Sequence, residues 1–301
     1  MGDLMGKCIA QVLDIDTGEI IDESKIYSYQ TLENRQRQLE YLKYKKECEE
    51  QTQQINEKFK EYGSFVWNVY NVSQQNFSNL KASNITRLMF LSTYLHYNGY
   101  LMYNQRTVMN KKNMNQLLKL SEREFQYFYK DITKNNILKE KEDRLYINQN
   151  IFRKGNLSKS KIVKFIQQDK FITRLYIDGV RKLYMASTPH SHKTLSYIFQ
   201  ILPYVNRQYN IVCLNPLEEN LDNIQCMSLG EFCNSINYDS HNIRQLQKNL
   251  FEPTFDIHGK ITNAICCVSK GLNNSDCRIF INPMVYYAGD RWKEVEILGK
   301  F

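Results

Sequence analysis

The sequence predicts a mainly α chain with small β-hairpins, an α+β architecture in which two units of one plan follow a long polar helix. Three observations carry this expectation. Apolar residues recur at helical spacing in short segments. Alternating segments meet around charged or polar turns. The closing stretches of the two units, RLYINQNIFRKGN at 144–156 and RIFINPMVYYAGDRW at 278–292, share an arginine, a strand, an asparagine, an aromatic and a glycine. The expected division is an N-terminal hairpin and helix over 1–80, a first unit over 81–158 and a second over 159–301.

The chain opens on IAQVLDIDTGEII (9–21), a short hairpin turning at Thr17-Gly18. Residues 31–62 contain no Gly or Pro and are dense in Glu, Gln, Lys and Arg. They spell a long polar helix whose apolar thread is thin: Leu32, Leu39, Leu42, Ile55 and Phe59. Two readings stay open for it, a single solvated helix and a dimerisation arm. The second is favoured, because an isolated helix persists only when packed.

From Ser83 the texture changes. SNITRLMFLSTYLHY, with Ser83 or Asn84 as cap and Ile85, Leu88, Met89 and Leu95 inward, predicts a first helix. MNKKNMNQLLKL predicts a second. SEREFQYFYKDITKNN predicts a third, with Ser121 and Glu124 as a capping box and Phe125, Phe128 and Ile132 inward. ILKEKEDRLYINQNIF then reads as two strands around a charged turn at Lys141–Arg144.

The second unit repeats the plan. FITRLYIDGVRKLYMAS is expected as a lead-in helix, HKTLSYIFQILPYVN as the first helix of the unit and YNIVCLNP as a strand. SLGEFCNSI and DSHNIRQLQKNLF form a helix pair with Ile243, Leu246 and Leu250 inward. KITNAICCVS and DCRIFINP are hairpin strands around KGLNN. Helix, helix, helix and hairpin, twice over, is the order of tandem winged-helix domains.

Charge is unevenly spread. The 301 residues carry a formal net charge of +8; residues 84–185 hold 20 Lys/Arg against 8 Asp/Glu, whereas 1–83 hold 10 against 13 and 186–301 hold 10 against 11. An excess confined to one third points to a polyanion partner. The expected DNA contacts in the first unit are Lys111 and Lys112, then Arg123, Gln126, Tyr127, Lys130 and Lys134 on the third helix, and Lys139, Lys141 and Arg144 on the hairpin. In the second unit they are Ser240, His241, Asn242, Arg244, Gln245 and Lys248, with Lys270 and Asn273 in the hairpin turn. Arg can bridge guanine O6 and N7, and Asn or Gln can bridge adenine N6 and N7, so the helix from Ser240 is the expected reader.

With LSYIFQILPYVNRQYNIVCLNP, FINP, NITRLMFLSTYL and NKKNMNQLL in view, the stretch 80–290 resembles winged-helix proteins of phages and plasmids of low-GC Gram-positive bacteria. The hairpin followed by a strand ending INP is similar to that of RepL-like replication initiators. The resemblance implies a sequence-specific double-stranded DNA-binding protein, a replication initiator, with reading helices at 122–135 and 240–251. Glu122, Glu124 and Asp131 depart from the basic character such a helix should have. A transcriptional or partition regulator that occludes its operator needs the same folds.

No run reaches the roughly 18 apolar residues of a membrane span, and residues 1–20 lack signal-peptide features, so a cytoplasmic protein with no membrane contact is expected. The eight cysteines are irregularly spaced and read as reduced thiols. No spacing supports a metal held by Cys226, Cys233, Cys266, Cys267, His241 and His258. His190-Ser191-His192 resembles the paired histidines of rolling-circle nickases but lacks their apolar centre and acidic cluster, and no G-x-x-x-x-G-K is present. Neither a catalytic centre nor a cofactor is expected. The expected partners are double-stranded DNA, a second copy through 31–62, and replication or partition proteins.

Overall fold

The computed structural model describes residues 12–13, 20–22, 34, 36–47, 49–50, 62–69, 77–155, 157, 165, 171–257, 259–269 and 277–300. The chain divides into an N-terminal segment, 1–57, and a compact body, 58–301. In the segment, β1 (Val12–Leu13) pairs with β2 (Ile20–Asp22) antiparallel; the turn at Thr17-Gly18 lies outside the described residues. Residues 36–47 are helical, with Leu39, Tyr41, Leu42 and Tyr44 exposed. Ion pairs Lys45–Glu49 and Lys46–Glu50 run along the helix. Leu32, Ile55 and Phe59 lie outside the described residues.

The body is mixed α and β, and β3 (Phe65–Val69) opens its first half. α1 (Ala82–Ser92) follows, buried along nearly its whole length. Its N-cap is Lys81, with no side-chain cap bond, rather than Ser83 or Asn84; the Asn84 amide instead donates to Asp131 (2.6 Å). α2 (Lys111–Leu118) is capped by Asn110, whose side chain accepts from the Asn113 N–H. It ends at Lys119 in the left-handed region (φ 53°), and a three-residue turn leads into α3 (Glu122–Lys134). There Ser121 Oγ accepts from the Glu124 N–H, and Phe125, Phe128 and Ile132 face the core. β4 (Leu138–Lys141) and β5 (Arg144–Ile147) form the hairpin. Glu142 and Asp143 both take positive φ, the tight two-residue turn whose twist matches that of the strands. Residues 99–101 run beside β5 as a third strand: Leu101 N–H donates to Leu145 (2.8 Å) and Ile147 N–H to Gly99 (3.0 Å).

The second half begins with a correction. FITRLY is not helical: β7 (Ile172–Tyr176) precedes α4 (Ile177–Met185). All five residues of that strand are buried, and its β-branched and aromatic side chains suit a strand covered on both faces. α5 (His192–Gln200), α6 (Leu229–Ser235) and α7 (Ile243–Phe251) occupy the expected places. A 3₁₀ turn, Ser240–Asn242, leads into α7; Leu246 and Leu250 are buried and Ile243 only partly so. YNIVCLNP is shorter than a full strand, pairing only at residues 211–213. KITNAICCVS is two strands rather than one: β9 (Lys260–Asn263) pairs back to β8 (Thr254–Ile257), and β10 (Ile265–Ser269) pairs with β11 (Cys277–Ile281). The break falls at Ala264, whose N–H and carbonyl bond instead to Pro253 and Asn282. Cys213, Cys226, Cys233 and Cys266 are free thiols, and burial pushes Cys213 up to about 12. Cys267, on the exposed side of β10, is disulfide-bonded, so the expectation of eight reduced thiols does not hold.

The two halves share a set of corresponding hydrogen bonds around their hairpins. Asn148 N–H donates to Ile137 and Asn282 N–H to Ala264; Asn148 Oδ1 accepts from Asn150 N–H and Asn282 Oδ1 from Met284 N–H, both at 2.9 Å. Val212 N–H donates to Ile279 and Ile281 N–H to Asn210, the counterparts of the bonds around Leu101 and Gly99. Gly99 and Asn210 even share the left-handed backbone (φ 87° and 51°). Each half returns to a central sheet of order β12-β7-β3-β6, where β6 is Phe152–Arg153 and β12 is Tyr286–Tyr287. The middle pair, β3 with β7, is antiparallel with Trp67 opposite Arg174, so a local two-fold relates the halves there. Arg174 is buried among the faces of Trp67, Tyr287 and Trp292 at 5.5–5.9 Å and donates to Gly289 O (2.9 Å).

The helices of the two halves also interlock. Thr86 Oγ1 donates to His192 O (2.7 Å), Arg87 Nε to His192 Nδ1 (3.3 Å) and Tyr184 OH to Leu118 O (3.0 Å). Phe90 and Tyr184 stack at 3.8 Å. Arg181 donates twice to Thr93, at 2.9 Å each.

Candidate nucleic-acid interface

In the first half the structure gathers the expected side chains around α2, α3 and the hairpin. Phe125, Phe128 and Ile132 anchor α3 inward, which turns Arg123, Gln126, Tyr127, Lys130 and Lys134 to solvent. Lys111 and Lys112 sit on the exposed first turn of α2, and Lys139, Lys141 and Arg144 are exposed on the hairpin. Between α2 and α3 runs an open groove of about 440 Å³ lined by Lys111, Lys112, Gln116, Glu122, Gln126 and Tyr129.

The acids of α3 are engaged. Glu122 accepts from Gln126 Nε2 (2.7 Å) and Asn115 Nδ2 (3.1 Å). Glu124 meets the buried Arg87 guanidinium at 3.4 Å, and Asp131 accepts from Asn84. These bonds tie α3 to α1 and α2; Glu124 faces a cation, whereas Glu122 and Asp131 meet only neutral amides and keep their charge beside the outward lysines.

Not every lysine stands free. Lys111 Nζ lies 2.7 Å from Glu140, a hydrogen bond that raises the lysine pKa and lowers that of the carboxylate. Lys141 meets Glu142 at 3.3 Å. Lys112 and Lys139 have no carboxylate partner among the described residues. Two residues passed over in the sequence belong here by position: Lys81 lies over the exposed Tyr127 ring (5.5 Å), as Arg123 does (5.7 Å), and Lys119 is exposed in the turn between the helices. Lys81 precedes α1 by one residue, which gave no pattern to find it by. Three arginines of the basic third are structural: Arg87 and Arg174 are buried, and Arg181 is tied to Thr93 and Tyr94.

In the second half α7 exposes Arg244, Gln245 and Lys248, with Ser240, His241 and Asn242 exposed before it. Asp239 organises that approach, accepting from the His241 N–H (3.0 Å) and from Asn242 Nδ2 (3.2 Å), with its carboxylate 2.9 Å from His241 Nδ1. Gln245 donates to Asn249 (2.9 Å) and Lys248 meets Glu252 (3.5 Å). Arg244 keeps its donors for solvent. Lys270, Asn273 and His258 lie outside the described residues.

No protein-family profile, curated protein or solved structure matches the chain.

Among the described residues no group of three His, Cys, Asp or Glu is placed to hold a metal ion. His190 is exposed and His192 is buried against Tyr184 (4.5 Å), so the two histidines face different surroundings. Burial, then the Arg87 charge, lower His192 to about 4. No helix among the described residues is long and apolar enough to cross a membrane.

Proposed function

We propose that the chain binds double-stranded DNA through two winged-helix units, and that its role is initiation of replication for a phage or plasmid. The observation that carries the reading is the repetition itself. Each half sets a polar, outward helix (α3, α7) after a shorter helix (α2, α6) and ahead of a hairpin whose second strand is joined by a third: β4–β5 in the first half and, after the additional β8–β9 hairpin, β10–β11 in the second. That is the order in which such domains present a helix to the major groove and a hairpin to the backbone. The cations Lys112, Lys130, Lys134 and Lys139 around α3, without a carboxylate partner among the described residues, supply phosphate contacts, and Arg244 on α7 supplies a donor fork for guanine. The interlocked helices hold the two halves in fixed relation, which suits one chain reading two adjacent sites.

Footprinting of the full chain on DNA flanking its own gene tests the reading. Protection of short repeats beside an AT-rich stretch is expected. A single protected site over a promoter would shift the role to transcriptional or partition control, and equal affinity for random duplex would overturn sequence-specific binding. A homodimer through residues 31–62 belongs to the same proposal, supported by the exposed Leu39 and Leu42.

A further inference from the structure

The small sheet of the first half has two unlike faces. Leu101, Leu138, Leu145 and Ile147 are buried on the helix side. The other side carries Lys139, Tyr146 and Tyr100 in one cross-strand row, since Lys139 pairs with Tyr146 and Tyr146 with Tyr100. A face meant only for water needs no aromatic residues. Here they continue past the sheet: His96 stacks on Tyr100 (4.5 Å, 22°), and Tyr97, 66% exposed, meets His96 edge-on at 5.8 Å.

Cations frame the rings. Arg144 lies over Tyr100 (5.1 Å) and Lys154 over Tyr97 (5.8 Å). The backbone that carries Lys154 is pinned where Trp67 Nε1 donates to Gly155 O (2.9 Å), and Tyr97 packs where a side chain at residue 155 would stand. Two nearby carboxylates are already engaged, Glu140 with Lys111 on the helix side and Glu142 with Lys141, while Asp143 is exposed in the turn. Lys154 has no carboxylate partner among the described residues, and its charged form is disfavoured by partial burial and by Arg181. Asp178 acts on Arg181. An anion beside Lys154 would relieve that repulsion.

We infer that this face, with Tyr97 as stacking platform and Lys154, Arg144 and Lys139 as phosphate contacts, binds unpaired single-stranded DNA. Every base offers a π-face, so an exposed ring beside cations takes single strands without regard to sequence, whereas a duplex hides its bases from such a ring. The choice of DNA over RNA rests on the proposed duplex binding by the same half; the affinity for unpaired strands does not.

The test is fluorescence anisotropy of the full chain with labelled oligo-dT, an abasic strand of equal length, oligo-rU and a short duplex. Tyr97→Ala should weaken oligo-dT binding on the order of tenfold, Tyr97→Phe should restore it, and Lys154→Gln should reduce its salt dependence. Duplex binding and melting temperature of Tyr97→Ala should stay as in the parent, which separates a lost platform from a lost fold. Unchanged oligo-dT affinity in Tyr97→Ala, or an abasic strand bound as tightly, overturns the site. Tighter binding of oligo-rU than of oligo-dT overturns the assignment to DNA. A chain that binds oligo-dT through Tyr97 but no duplex keeps this site and sinks the proposed function.

Discussion

In the first half the Ile151 carbonyl accepts from Val69 N–H, and in the second the Val285 carbonyl accepts from Tyr176 N–H; the asparagines three residues before, Asn148 and Asn282, close the same turn. Beneath that shared frame the halves differ in how they are held and in what they show to solvent. Asn282 is buried, whereas Asn148 is only half-buried. Among the described residues the first half carries lysines around α3 with no carboxylate partner, whereas on α7 Lys248 is paired with Glu252 and Arg244 has none. A frame of backbone bonds fixes where helix and hairpin go and leaves the outward residues free to differ. On the proposed function, the first half would then supply the backbone contacts and the second a donor fork for discrimination.

The largest expected effect concerns the joint between the halves. His192 is 1% exposed and titrates near 4 instead of 6.5, so the folded chain holds the neutral ring and the unfolded chain takes up the proton first. Stability contributed by the neutral ring is therefore complete above pH 6.5 and is lost as pH falls towards 4, by at most about 3 kcal/mol. Urea unfolding across that window should show the loss in the parent and a flatter profile in His192→Gln. Equal slopes would remove His192 from the joint. Neutralising Lys112 and Lys139 comes next: the slope of log K against log salt should fall by roughly 2, because each phosphate contact contributes about 0.9. The same change at Arg244 and Lys248 should move it less, and a larger change there would reverse the division between the halves.

The two asparagines test the frame itself. Asn282→Ala leaves Met284 N–H and the Asn263 carbonyl without their partner inside the protein, a cost of about 1–3 kcal/mol. Asn148→Ala leaves groups that water reaches, and should cost about 1 kcal/mol or less. Chemical denaturation of the two variants reads the difference directly; equal losses would mean that burial does not distinguish the two turns.

Much of this was legible. The apolar spacing of SEREFQYFYKDITK named the buried face of α3, and Glu142-Asp143 between alternating residues named the turn. The repeated INQ and INP pointed to a common strand end, though not to its hydrogen bonds. FITRLY misled because Ile172, Leu175 and Tyr176, at i, i+3 and i+4, also fit a helical period, and only the partner strands β3 and β12 decide for a strand. The central sheet was illegible for the same reason: its four strands are drawn from both halves, and their pairings span from 84 to 113 residues. The aromatic face escaped because His96, Tyr97, Tyr100 and Tyr146 share no period in the sequence and meet only when residues 99–101 lie beside β5. Charge counting overstated the basic face, since a count cannot tell a buried Arg87 or Arg174 from an exposed lysine.

The finest expected effect lies within α7. Arg244 and Gln245 are neighbours on the exposed side of one helix, and both side chains can bridge a base. The structure separates them: the Gln245 amide already donates to Asn249 at 2.9 Å, whereas Arg244 has its fork free. A base offered to Gln245 finds one of its amide N–H groups already held by Asn249, so less is gained there than at the Arg244 fork. Arg244→Ala should therefore weaken the footprinted site by about 1–3 kcal/mol relative to random duplex, and Gln245→Ala by well under about 1 kcal/mol. Competition binding against random duplex at fixed salt gives both ratios. If Gln245→Ala costs as much specificity as Arg244→Ala, the Gln245–Asn249 bond opens in the complex and α7 reads with both side chains. If neither substitution changes the ratio, α7 is a backbone contact and the choice of sequence passes to α3.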